Sequence, residues 1–317
     1  MPQETFTLQI RQIRLETDDV LSFELASPTQ NPLPVAPAGA HLELHLPGAL
    51  QRSYSLLDEG LGGCYRIAVK REPQSRGGSA WLHSQARVGQ TLQAQAPRND
   101  FALNEHAPES ILIAGGIGIT PLLAMARRLN RLGHRWSLHY AAPSPDRMAY
   151  RDCLQALAAD GHGSLHTYCS SEDRRLDIAA VVRASGPQAH LYCCGPAGLI
   201  DDFITATQDR PPERVHYERF AARHAASTEG GYEALLARSG KTVKVSAGRT
   251  LLDAILDAGV DIPYACSQGV CGTCRTRVIS GTPDHRDECL TEAERQSNEA
   301  IIPCCSGALS STLVLDL

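Results

Sequence analysis

Three cysteines crowd into Cys266-Ser267-Gln268-Gly269-Val270-Cys271-Gly272-Thr273-Cys274, and a fourth stands well beyond them at Cys304. The spacing C-x4-C-x2-C with a distant fourth cysteine is that of a plant-type [2Fe–2S] site. Two irons need four thiolates, so a tight loop must fold back against a segment that follows much later. Ser267, Gly269, Gly272 and Thr273 are small enough for the backbone to curl closely and aim amide N–H groups at cluster sulfurs, which helps set the potential. Only one C-x2-C pair is present, Cys271 and Cys274, whereas structural zinc sites usually combine two. Spacing leaves Cys304 and Cys305 equally able to act as fourth ligand. Such a cluster moves single electrons and breaks no substrate bond, so a donor and an acceptor must be sought elsewhere.

With 317 residues the chain has room for two or three domains, each with its own core. Its 43% apolar and 21% charged residues are ordinary for a soluble protein, and a net charge of −5 speaks against nucleic acid as a partner. The start, MPQETFTLQI, has neither the basic nor the apolar region of a secretory signal. Glycines and Pro121 interrupt the charge-free stretch Ser110 to Ala126, so no membrane helix is expected. Eleven cysteines form no disulfide framework, which suggests a reducing cytoplasm. Cys64, Cys153, Cys169 and Cys289 read as small apolar residues.

From Phe6 to about Ala107, short segments alternate apolar and polar residues: Thr5–Ile10, Val20–Leu25, His41–Leu46 and Tyr65–Val69. With Gly- and Pro-rich turns between them they predict an antiparallel β-barrel. From about Pro108 to Ala222 the pattern changes. Ile111-Leu112-Ile113-Ala114 is uniformly apolar, as a buried parallel strand would be, and a helical stretch follows from Pro121 to Leu132. Trp136–Tyr140 and His190–Cys194 read as further strands of an α/β nucleotide-binding domain with a parallel sheet. The small, polar run Ala221 to Gly231 reads as a linker. Then come a hairpin around Ser239-Gly240, a helix from Thr250 to Ala258, the cysteine loop and a strand at Thr312–Leu315. The expected division is 1–107, 108–222, a linker at 223–232, and 233–317.

Gly115-Gly116-Ile117-Gly118-Ile119-Thr120-Pro121 lies between an apolar strand and a helix, where a pyrophosphate can approach bare backbone at the positive end of a helix. It is not the G-x-G-x-x-G fingerprint, and a plain strand–helix turn would want the same glycines. Tyr192-Cys193-Cys194-Gly195-Pro196 ends a second strand, and ligands of open α/β sheets bind beyond the carboxyl ends of strands. Cys194 is therefore a candidate neighbour of a nicotinamide ring, or merely a strand end. Arg52-Ser53-Tyr54-Ser55 combines a guanidinium fork, a flat ring and hydroxyls, a set that suits a flavin; a surface arginine beside a core tyrosine would look alike. Arg76-Gly77-Gly78-Ser79 offers backbone N–H groups to the same phosphate. The histidines, among them His41, His45, His83, His106, His134 and His139, lack the spacing of a Rieske or mononuclear iron centre.

Together and in this order, these motifs resemble the phthalate dioxygenase reductase family over essentially the whole chain. Ala68-Val69-Lys70-Arg71, Pro97–Phe101, His216-Tyr217-Glu218-Arg219-Phe220, Asp284-His285-Arg286-Asp287 and the closing LVLDL agree in kind. The resemblance implies FMN as flavin, NADH as donor, a β-grasp ferredoxin domain holding a [2Fe–2S] cluster, a monomer, and an oxygenase as acceptor. It assigns Arg52, Gly77, Gly78 and Ser79 to the FMN phosphate, and Ser53, Tyr54, Ser55, Ala68, Val69 and Lys70 to the flavin's surroundings. Gly115, Gly116, Gly118, Thr120, Pro121, Cys194, Gly195 and Pro196 would line the nicotinamide nucleotide site, with Ser55, Thr120 and Cys194 nearest the chemistry. Phe220 would stack on the flavin until the nicotinamide displaces it. The family's closing Cys-Val-Ser, here Cys304-Cys305-Ser306, makes Cys304 the ligand. Ala142-Pro143-Ser144-Pro145 replaces a stretch where relatives often carry arginine, which loosens the preference for NADH over NADPH; Arg147 could meet a 2′-phosphate.

The expected activity passes electrons from NADH through FMN and the cluster to a Rieske-type non-haem iron oxygenase acting on an aromatic or related small substrate. A cytochrome P450 as acceptor keeps the same chemistry. A ferredoxin-like carrier or redox sensor with a vestigial flavin domain does not, and Arg52, Ser55, Gly116 and Thr120 speak against it. Segment 233–317 is acidic, with Asp284, Asp287, Glu288, Glu292 and Glu294, either as a solvated face or as a docking surface for a basic partner.

Overall fold

A computed structural model describes residues 5–317 apart from 30, 49, 74, 76, 160, 221–224 and 265. The chain forms two compact units, Met1–Arg219 and Phe220–Leu317. In the first, alternation turns Leu8, Ile10, Phe23, Leu25, Leu42, Leu44, Tyr65 and Ile67 inward, and all are buried. Strands β1 (Thr5–Thr17), β2 (Val20–Ala26), β3 (His41–Leu46), β4 (Leu50–Ser55), β5 (Cys64–Lys70) and β6 (Thr91–Gln95) form one antiparallel sheet ordered β4-β3-β6-β1-β2-β5. Its two edges meet at a bridge between Leu56 and Ile67, and Leu57 N–H donates to Arg66 O at 2.9 Å, which closes the barrel. Helix α1 (Gly78–Ser84) follows β5.

The rest of this unit alternates strand and helix: β7 (Ser110–Gly115), α2 (Ile119–Leu132), β8 (Trp136–Ala142), α3 (Arg151–Ala159), β9 (Gly163–Cys169), α4 (Ile178–Ala184), β10 (His190–Cys194), α5 (Ala197–Ala206) and β11 (Val215–Glu218). The sheet is fully parallel in the order β11-β10-β7-β8-β9. Every residue of central β7 is buried, as its uniform apolar run demands. Ile178 and Val182 of α4 and Ile200 and Phe203 of α5 cover one face at Ile111, Ile113 and Leu191. Helix α2 is tied to the barrel, with Arg127 Nη1 donating to Leu57 O at 2.9 Å, and Arg128 holds Glu105 through two bonds of 2.8 and 2.7 Å. The histidines of this sheet pack against each other: His139 stacks on His166, and His190 Nδ1 lies 3.0 Å from His216 Nε2.

The second unit holds β12 (Tyr232–Leu236), β13 (Lys241–Val245), α6 (Leu251–Asp257), β14 (Thr276–Ser280), β15 (Pro283–Asp284), α7 (Glu292–Ser297), β16 (Ala300–Ile301), β17 (Gly307–Ala308) and β18 (Thr312–Leu315). Its main sheet runs β13-β12-β18-β14-β16, with β12 and β18 parallel, so the last strand in sequence lies in the middle. Thr250 caps α6 in a reciprocal box with Asp253, which fixes the helix start. Leu251 and Ile255 then meet Ala234, Leu236, Leu313 and Leu315 in the core. Barrel and parallel α/β domain are what the residue pattern predicts, and the second unit is the β-grasp that the resemblance implies.

Strand β4 carries the whole motif Arg52–Ser55. One expectation needs correction. The linker expected at 223–232 is packed over 225–231: Ser227 N–H donates to Cys305 O at 2.7 Å and Gly231 N–H to Val245 O at 2.9 Å. Residues 223 and 224 lie outside those described. Among the described residues, no helix is long and apolar enough to cross a membrane.

Candidate functional site

The β4 arginine and the loop before α1 meet closely. A Cβ on Gly78 would come within 2.7 Å of Arg52 Cγ and 3.0 Å of its Nε, so the arginine stem lies across the glycine and any side chain there would have to displace it. Arg52 Nη1 donates to Gln51 O at 2.7 Å. Ser79 Oγ donates to Ser75 Oγ at 3.0 Å and accepts from Glu72 N–H at 3.2 Å, which closes the loop carrying Gly77. Arg76 lies outside the described residues. Tyr54 and Ser55 continue along β4; Ser55 is 6% exposed, and burial drives the Tyr54 hydroxyl well above its ordinary range despite the Arg52 charge. Ser53 is half-buried between them. Ala68 and Val69 are buried in β5 and Lys70 is half-buried at its end, where the Val69 carbonyl lies 2.9 Å from His83 Nε2.

The two strand ends of the α/β sheet also touch. A Cβ on Gly118 would lie 2.2 Å from Cys194 O, one on Gly195 would lie 3.0 Å from Gly115 Cα, and one on Gly115 would meet Pro196 at 2.7 Å. Gly116 faces the other way, with nothing within 4 Å of its Cβ position. Thr120 Oγ1 donates to Ile117 O at 3.0 Å and braces the turn, and buried Pro121 follows in the first turn of α2. Cys194 is fully enclosed; burial first, and then nearby Glu218, push its thiol well above the ordinary range. Arg147 lies 3.2 Å from Asp19 on the barrel and is therefore already ion-paired.

Glu218 was not singled out by the sequence, where an acid at an edge strand reads as surface. It ends β11 directly across from Cys194, and its Oε2 is enclosed without a hydrogen-bond partner. Burial, helped by Asp100, raises its carboxyl to about 8. Phe220 is half-buried and begins the second unit.

In that second unit the thiols come together as two pairs. The Cys266 and Cys271 thiols interact directly, as do those of Cys274 and Cys304, and in each pair the partner and burial raise the Cys271 and Cys274 thiols. Gln268 N–H donates to Cys266 Sγ at 3.2 Å. Gly269 and Gly272 both have left-handed backbone (φ 74° and 68°), which lets the loop curl. Cys305 turns away: its Sγ lies 3.6 Å from Ile302 O and 3.7 Å from Ser306 Oγ, inside the core. Among the described residues no three His, Cys, Asp or Glu side chains converge on a single-ion site. Of the acids expected on a docking face, Asp287 is 3% exposed, Asp284 pairs with Arg286 at 2.7 Å and Glu294 with Arg275 at 2.6 Å.

Residues 235–309 match the model of the 2Fe-2S iron-sulfur cluster binding domain, and residues 112–204 that of the oxidoreductase NAD-binding domain. The phenoxybenzoate dioxygenase subunit beta of Ectopseudomonas oleovorans is 48% identical over 314 residues, covering 98% of this chain and 97% of its own. The solved structure of phthalate dioxygenase reductase superposes with a TM-score of 0.86 at 37% identity, covering 99% of this chain and 98% of that one. An intact type IV self-sufficient cytochrome P450 monooxygenase matches with a TM-score of 0.73 at 34% identity, over 99% of this chain but 41% of that one. Likeness along the full length, with both domain models matched in the expected order, makes the chain an oxidoreductase of the phthalate dioxygenase reductase family.

Proposed function

We propose that the chain is the NADH-dependent reductase component of a two-component oxygenase system, with FMN in the barrel, a [2Fe–2S] cluster in the second unit, and a Rieske-type oxygenase acting on an aromatic or related small substrate as acceptor. The observation that carries this reading is the likeness to phthalate dioxygenase reductase along the full length, with Cys266, Cys271, Cys274 and Cys304 inside the segment that matches the 2Fe-2S domain. Nicotinamide, flavin and cluster, when bound, divide a two-electron donation into single-electron deliveries.

The chain's own residues bind and orient. Arg52 and the backbone N–H groups of Gly77, Gly78 and Ser79 hold the FMN phosphate, a bidentate task for a guanidinium. Tyr54 and Ser55 flank the ring, with Ser53, Ala68, Val69 and Lys70 as the adjoining wall. Gly115, Gly116 and Gly118 leave bare backbone for the nucleotide pyrophosphate at the start of α2, and Thr120 and Pro121 keep that turn rigid. Cys194, Gly195 and Pro196 form the facing wall. A thiol as enclosed as Cys194 stays protonated, so it shapes the nicotinamide pocket and attacks nothing. Glu218 presents a neutral carboxyl at pH 7 beside that wall. Cys266, Cys271, Cys274 and Cys304 would hold the two irons of the cluster.

The functional division is 1–107 for FMN, 108–222 for NADH and 233–317 for the cluster, in a monomer of the reducing cytoplasm, where the six free thiols other than the two pairs and Cys305 stay unmodified. The likeness to a self-sufficient P450 favours, as second reading, a P450 as acceptor. Anaerobic NADH titration tests the proposal. Purified protein should carry one FMN and two irons per chain, and NADH should bleach flavin and cluster bands and support reduction of a Rieske oxygenase. Iron without flavin, or a spectrum indifferent to NADH, would point to the carrier reading instead.

A further inference from the structure

One strap of backbone touches both cysteine-bearing segments. Arg286 N–H donates to Ser306 Oγ at 3.1 Å, beside the segment of Cys304, and Glu288 N–H donates to Gly269 O at 2.8 Å, inside the loop of Cys266, Cys271 and Cys274. Cys289 continues the strap, its Sγ lying 3.5 Å from where a Cβ on Gly272 would stand. Between these contacts sits Asp287, whose side chain is wholly buried. Its Oδ2 accepts from Cys289 N–H at 3.2 Å and Leu290 N–H at 2.8 Å, which folds the strap into a turn.

Two basic side chains face the Asp287 carboxylate at ion-pair range, beyond hydrogen-bond distance. His285 Nδ1 and Arg295 Nη2 each stand 3.8 Å from it, and Arg295 Nη2 donates to the Asp287 backbone carbonyl at 2.7 Å. His285 is held from its far side, with Nε2 at 3.2 Å from Asn298 Oδ1. Asp287 Oδ1, His285 Nδ1 and Arg295 Nε are all buried without a hydrogen-bond partner. Burying so many polar groups imperfectly paired is costly, and a turn of this kind needs only one acceptor, which a serine or asparagine would supply more cheaply.

We propose that Asp287 is a positioning residue for the [2Fe–2S] centre: it pins the strap Arg286–Leu290, which fixes the three-thiol loop against the segment of the fourth thiol, and it sets a buried negative charge beside the cluster. The inference rests on the proposed reading of the four thiols as cluster ligands. A fixed negative charge nearby disfavours an added electron, so it holds the cluster at a lower potential. The strap also resists the opening through which iron would leave.

The test uses the full chain with its cofactors, and reads the cluster midpoint potential by anaerobic spectroelectrochemistry and the rate of iron release to a chelator. Asp287→Asn keeps an oxygen for both turn N–H groups and removes the charge. It should release iron at the wild-type rate and shift the one-electron reduction equilibrium at least threefold toward the reduced state, about 28 mV at 59 mV per tenfold. Asp287→Ala removes the pin and should release iron at least tenfold faster. Ser306→Ala frees the other end of the strap, so it should also speed release but move the potential less than Asp287→Asn; it decides the strap if Asp287→Ala does not fold. Wild-type release from Ser306→Ala, or an unmoved potential in Asp287→Asn, overturns the inference while leaving the proposed function standing. A wild-type chain without a cluster overturns both.

Discussion

Gly118→Ala isolates a steric demand from a conformational one. Gly118 has a helical φ of −61°, so alanine would meet no backbone strain there. Space is lacking instead: the new Cβ would lie 2.2 Å from Cys194 O, 2.4 Å from Cys194 C and 2.7 Å from Gly195 N. Carbon–oxygen contacts rest at about 3.3 Å, so something must retreat by about 1 Å. All three atoms are backbone, and β10 is hydrogen-bonded on both sides, to β7 and β11, so no side chain can swing away. Overpacking of this sort reaches about 3 kcal/mol. At roughly 2–4 °C per kcal/mol for a unit of this length, the melting point should fall by roughly 6–12 °C. Gly116→Ala is the control. Its φ of 53° makes alanine strained, but nothing lies within 4 Å of the new methyl. Its stability cost should be only about 1–2 kcal/mol. The methyl would instead project onto the open backbone proposed for the pyrophosphate, and KM for NADH should rise about tenfold, equivalent to 1.4 kcal/mol of binding. Thermal unfolding and NADH oxidation kinetics on both variants read the two effects separately. If Gly116→Ala melts below Gly118→Ala, or if Gly118→Ala melts with the wild type, the packing of the two strand ends is not what excludes a side chain.

Two further outcomes are expected. Cys305→Ser should retain a full complement of iron and the wild-type visible spectrum, whereas Cys304→Ser should lose the cluster or alter its spectrum; iron analysis that ranks them the other way would reverse the ligand assignment. For Glu218, the folded carboxyl titrates near 8 against an ordinary 4.5. Between those values the folded state keeps a proton that the unfolded chain releases, so stability conferred below pH 4.5 is lost progressively as pH rises toward 8. Glu218→Gln should therefore gain in melting temperature relative to wild type between pH 5 and pH 8. Above pH 8 the wild-type carboxylate should also tighten inhibition by NAD+, whose nicotinamide ring is cationic, and Glu218→Gln should show no such pH dependence; equal profiles for the two proteins would refute the burial argument.

The parts legible in the sequence are those where chemistry or burial leaves few alternatives. A two-iron cluster demands four thiols at set spacing, and a strand buried on both faces must be apolar throughout, so the cysteine loop and β7 announce themselves. Cys304 and Cys305 are adjacent, and only the folded chain decides which Sγ turns to Cys274 and which to Ile302. Strand β4 is partly buried along almost its whole length and shows no clean alternation, so the pattern that marks the other barrel strands does not mark it. Residues 225–231 are small because Ser227 packs tightly on Gly307, yet smallness is equally the mark of a free linker. Glu218 and Asp287 fail in the opposite sense. Charge ordinarily predicts exposure, and here distant segments close over it.

Strand β18 lies between β12 and β14, although it is the last of them in sequence. During translation all four cluster cysteines therefore emerge before Thr312–Leu315, while the hairpin β12–β13 and the strand β14 still lack the neighbour that joins them. A nascent chain thus displays a complete set of thiols before it has the sheet that would shield them, and strands awaiting a distant partner form slowly. The sheet that shields these thiols therefore closes only once β18 has joined β12 and β14, and until then their oxidation is the hazard.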